Sequence, residues 1–191
     1  MIKLRSMQWM FVAAAFALAA TPSAWAATAD DSDSVTVTVD PVLSISDEVG
    51  DFTITFTNAT GSAAGDVSTG QTVGYIVKSN TMPNAALTGA LSAKLSTTLT
   101  NIEIRGTTDG TSYVNDGSAS NAILEAVNTD TANPTVIGTT ATSMFNKPSS
   151  TGTAGKILDG RAFINWNAKA TADLVPGDGG TVTLTVTLKD A

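Results

Sequence analysis

Seventeen carboxylates, with no histidine and no cysteine, set the chemistry open to this 191-residue chain. Without imidazole or thiol, neither a Ser-His-Asp nor a Cys-His constellation can be assembled, and zinc and copper lose their usual ligands. What remains is oxygen chemistry, which suits calcium. Three clusters supply oxygen ligands at short spacing: Asp30, Asp31 and Asp33; Asp47, Glu48 and Asp51; and Asn128, Asp130 and Asn133. None has the D-x-[DN]-x-[DN]-G spacing of a helical calcium loop. Asp47, Glu48 and Asp51 lie in a turn between two expected strands and are the metal candidates, so calcium is the one cofactor considered. Two carboxylates across a cleft can hydrolyse a glycoside. Here every acid except Glu103 and Glu125 falls in or beside a polar turn, so no catalytic residue is expected and the chain is read as non-enzymatic.

Aromatic rings are the second kind of binding group, because sugars pack on exposed ring faces. Beyond residue 26 the aromatics are Phe52, Phe56, Tyr75, Tyr113, Phe145, Phe163 and Trp166. Phe52 and Phe56 share the apolar face of an alternating segment, and Trp166 shares a face with Ile164, which places these three in a core. Tyr113 and Phe145 fall in a polar stretch, Thr107 to Gly160, and are the ligand-surface candidates. Asn58, Ala59 and Thr60 match the N-x-[ST] pattern but read as a turn. The run from Pro176 to Gly180 is a hairpin-type connection, since no lysine follows it and the next element is a strand.

These groups must be positioned by strands. Val35, Val37 and Val39 alternate with Thr36 and Thr38; Phe52, Ile54 and Phe56 with threonines; and Val182, Leu184, Val186 and Leu188 with threonines again. A period of two with one apolar face is the signature of a half-buried strand, and β-branched threonine suits the exposed face. Further strands are expected at 42–46, 72–78, 91–95, 99–105, 123–127, 135–138 and 161–168, each bounded by Gly, Pro, Asn or Asp. About eight to ten short strands joined by polar turns predict an all-β, Ig-like antiparallel β-sandwich. Ala85 to Thr98 has a helical alternative, with Leu87, Leu91 and Leu95 four apart, opposed by Gly89 and the threonines. Met144 to Gly155 is expected to be an exposed loop.

The start of the chain gives the location. Lys3 and Arg5 precede an apolar run from Met10 to Ala20, which ends at Ala24-Trp25-Ala26. That pattern is a secretory signal peptide over residues 1–26, too short to span a bilayer, followed by one domain over 27–191. Its removal leaves 165 of the 191 residues and moves the net charge from −7 to about −9. An acidic surface with scattered cations is the wrong sign for nucleic acid, and no membrane span is expected in the mature chain. The protein is expected outside the cell, on its surface or in the periplasm.

Alternating strands at both ends of the mature chain invite pairing with another chain. Val35, Val37 and Val39, and Val182, Leu184 and Val186, are the assembly candidates. The alternative is that Val35 to Val39 form the first strand of their own sandwich. The export signal, the Val/Thr strand after it, and Leu174-Val175-Pro176-Gly177 leading into Thr181 to Thr187 resemble bacterial surface subunits of the pilin-like and spore-coat-U-like kind. Such a resemblance implies a structural subunit of a filament, coat or adhesive layer that partners with itself or other surface proteins. It departs at the disulfide that fimbrial subunits commonly carry, because this chain has no cysteine. The competing expectation is a carbohydrate- or ligand-binding module, assisted by calcium.

Overall fold

Among the described residues, ten strands form where short alternating segments meet turn residues: β1 Leu43–Asp47, β2 Gln71–Ser79, β3 Leu87–Leu95, β4 Ile102–Thr107, β5 Tyr113–Asn115, β6 Glu125–Ala126, β7 Thr135–Ile137, β8 Thr142–Lys147, β9 Leu158–Ala170 and β10 Leu184–Leu188. The computed structural model describes residues 37–56, 63–117, 121–151, 154–175 and 177–191. It divides into Met1–Thr38, of which only Val37 and Thr38 are described, and a compact unit, Val39–Ala191. No helix among the described residues is long and apolar enough to cross a membrane.

The strands make two antiparallel sheets. One runs β1-β2-β9-β4-β7, with β5 also pairing β9, and the other runs β10-β3-β8-β6. The fold is an all-β sandwich, as the alternation predicts. Strand β9 organises it. Leu158, Ala162, Ile164, Trp166 and Ala168 point inward and are buried, while Arg161, Phe163 and Asn165 point outward and keep some exposure. Between the sheets these residues join Leu91, Ala93, Met144 and Phe145 in one core.

Trp166 is fully buried and donates its indole N–H to the Tyr75 hydroxyl at 3.0 Å, so the one polar atom of that ring is satisfied. Space for the indole comes from Gly106 on β4, where a Cβ would collide with Trp166 and Met144.

Three expectations need correction. Residues 52–56 keep the expected period, with Phe52, Ile54 and Phe56 packed on the core and Thr53 and Thr55 exposed, yet they form no strand. Alternation records which face is buried, not whether a neighbour is at hydrogen-bonding distance. The helical alternative for 85–98 does not occur. β3 crosses that segment, and Gly89, at φ 63°, sits where its register with β8 shifts, a left-handed position that glycine takes at bulges.

A second register shift, between Leu91 and Ser92, accompanies the correction of the loop expected from Met144 to Gly155. Residues 144–147 lie in β8, where Met144, Phe145 and Lys147 are all buried. Two consecutive buried side chains break the period of two, so the sequence hid this strand. Phe145, at 0% exposure, is a core residue opposite Leu91 and not a ligand surface.

Candidate functional site

The outermost strands of the two sheets on one side of the sandwich, β1 and β10, are in contact. Each presents an open edge. In β10 the ladder to β3 is bracketed by Ser96 N–H donating to the Thr183 carbonyl and Lys189 N–H donating to the Ala90 carbonyl. In an antiparallel pair the bonded positions alternate. Thr183, Thr185, Thr187 and Lys189 therefore turn their backbone groups toward β3, while Leu184, Val186 and Leu188 turn theirs to the open side. In β1, Asn80 N–H donates to Val42 and Glu48 N–H to Gly74, so Leu43, Ile45 and Asp47 face outward in the same way. None of these outward backbone groups has a backbone partner among the described residues.

The apolar side chains at this seam are incompletely covered. Ile45, Val182, Leu184 and Val186 pack on the core but stay half-buried, although Leu188 is buried. The assembly candidates of the C-terminal end thus lie on an edge, with their side chains on the core and their backbone groups open.

At the N-terminal end, Val35 lies outside the described residues. Val37 and Val39 are described, belong to no strand, and are 80% and 78% exposed, more than any other large apolar side chain among the described residues. Just after them the chain is fixed. Asn80 accepts from the Val42 N–H and donates to the Asp40 carbonyl, at 2.7 and 2.9 Å.

The metal candidates do not converge. Glu48 faces Arg161 at 3.4 Å, and Arg161 also meets Asp116 at 3.0 Å, so that carboxylate is shared with a cation on the sheet surface. No group of three or more potential acidic ligands is gathered among the described residues. Asp30, Asp31 and Asp33 lie outside them. Asn128, Asp130 and Asn133 close a turn on themselves: Asp130 accepts from the Ala132 and Asn133 N–H groups and from the Asn133 amide. Those bonds, the Asn133 side chain foremost, hold the Asp130 carboxyl below its ordinary pKa.

Two adjoining clefts, of about 250 and about 490 Å³, flank a turn that nothing in the residue pattern singles out. Asp109 lines both. Its Oδ1 accepts from the Thr111 N–H at 2.8 Å, the Thr111 hydroxyl at 2.7 Å and the Ser112 hydroxyl at 3.1 Å. These bonds, led by the Thr111 hydroxyl, hold the carboxyl below its ordinary pKa. Tyr113 lines the larger cleft, but its hydroxyl is buried beside Gly160 with no hydrogen-bond partner among the described residues. Burial, then Asp159 and Asp116, raise its pKa.

Lys147 is the other group with unusual placement. It is 1% exposed and forms no ion pair among the described residues; its Nζ donates to the Pro148 carbonyl and the Ser150 hydroxyl, both at 3.0 Å. Desolvation lowers its pKa. The Lys–Ser pair is a geometry used for nucleophilic catalysis on other folds, yet neither cleft includes it. No family model matches the chain, and no curated protein matches it.

Proposed function

We propose that this protein is an exported, non-catalytic structural subunit, of the pilin-like or spore-coat-U-like kind, with an Ig-like sandwich. It builds a filament, coat or adhesive layer by strand addition between copies. Residues 1–26 act as the export signal, and the segment Val35 to Val39 of one copy adds to the open edge of β10 on the next. The supporting observation is the pairing of an exposed donor with an open acceptor. Val37 and Val39 are exposed and outside any strand, while Leu184, Val186 and Leu188 offer unpaired backbone groups above a half-covered apolar seam.

The lengths agree, since an alternating five-residue segment meets a five-residue strand. Strand addition supplies backbone bonds for affinity and alternate side chains for register. Burying each valine contributes about 1.5 kcal/mol or more in addition. Removing residues 27–38 tests this directly. The shortened protein is expected to fold, because the chain is anchored from Asp40 onward, and to remain monomeric in sedimentation. Loss of folding would mean that the segment serves its own sandwich.

A further inference from the structure

We propose that the paired clefts around Asp109 bind a neutral carbohydrate, a function that does not depend on the assembly reading. The larger cleft, of about 490 Å³, falls within the range of about 300–1,000 Å³ usual for small-molecule sites, and the smaller, of about 250 Å³, adjoins it at Asp109. The chemistry of the walls selects the ligand. No lysine or arginine lines either cleft, while Asp109 and Glu125 do. An anionic ligand would face uncompensated carboxylates with no cation to receive it.

The polar groups suit hydroxyls. Three donors of its own turn hold Oδ1 of Asp109, with a weaker pull from the Ser112 N–H, so the carboxylate has a fixed direction and Oδ2 is the oxygen turned to a ligand hydroxyl in this proposal. Across the smaller cleft Asn165 donates its amide to the Thr72 hydroxyl at 3.0 Å, which fixes that hydroxyl and leaves its O–H as a donor, while the Asn165 carbonyl lies over Gly70. Phe163 supplies an apolar ring on the same wall. A sugar presents hydroxyl pairs at its rim and C–H groups on its face, which is the complement of this set. The walls are also fixed before binding: the Phe163 N–H donates to the Ser112 carbonyl at 2.6 Å, tying the Asp109 turn to β9. Such preorganisation lowers the ordering cost of binding.

Saturation-transfer NMR is suited to the test, because it reads the ligand and works with a monomer or a filament. The probes are gluco-, manno-, xylo- and chito-oligosaccharides, with an oligogalacturonate as the anionic comparison. At least one neutral probe is expected to bind in the millimolar range or tighter. Asp109→Asn keeps the internal acceptor but turns the outward oxygen into a donor, and is expected to weaken binding about tenfold, the effect of losing one charged hydrogen bond. Asn165→Ala is expected to weaken it as well, and thermal unfolding shows that each variant is folded. Absence of saturation transfer to every neutral probe at about 10 mM, undiminished binding in both folded variants, or preference for the oligogalacturonate would overturn the proposal.

Discussion

A single indole ring sets the tightest constraint at the scale of residues. Trp166 fills the centre of the sandwich, and Gly106 opposite it leaves no room for a methyl group. Gly106→Ala is therefore expected to destabilise the fold by about 1–3 kcal/mol, the cost of overpacking, read as a lower denaturant midpoint. Burial raises the Tyr75 hydroxyl to about 12 and keeps it neutral as the acceptor for the indole. Lys147 makes a prediction about pH. Its folded pKa lies below its ordinary 10.5, so the unfolded chain binds more protons between the two values and stability rises with pH across that window. The gain is complete above 10.5 and is lost as pH falls through the folded pKa. Denaturant midpoints measured between pH 8 and 10.5 are expected to climb for the wild type relative to Lys147→Met, and parallel curves would show that Lys147 is not desolvated in solution.

Edges and bulges decide what happens at the scale of elements. In β10 the backbone N–H of Thr185 faces β3, whereas that of Val186 faces outward. Proline removes one donor, and strands tolerate it only where that donor is unused. Thr185→Pro is thus expected to unfold the protein or cost about 3 kcal/mol or more, while Val186→Pro leaves a folded monomer that cannot accept a strand. Circular dichroism melts with sedimentation separate the two; equal damage from both would contradict the assigned edge.

Much of this was legible in the sequence. Alternation marked β10, the outward and inward faces of β9, and the buried side of residues 52–56. It failed at β8, because the register shift between Leu91 and Ser92 leaves Met144 as an extra residue and lets Met144 and Phe145 be buried in succession. That failure misplaced Phe145 as a surface residue. The Asp109 turn was missed for another reason: a Thr-Asp-Gly-Thr-Ser run looks like any polar turn until β9 brings Phe163 and Asn165 beside it.

At the scale of the whole molecule, the sandwich stands without cysteine, so non-covalent packing and hydrogen bonding hold it with no disulfide. A single buried core extends through both sheets from β2 to β10, while β1 and β10 form an open flank. An open flank is a liability for a monomer and a joint for a polymer. Electron microscopy of the purified protein, compared with Val186→Pro and with the deletion of 27–38, tests the central claim most directly. Strand addition predicts ordered fibres from the wild type and dispersed, folded particles from both variants. A wild-type protein that stays monomeric at high concentration, or fibres that form equally well without the open edge, would contradict it.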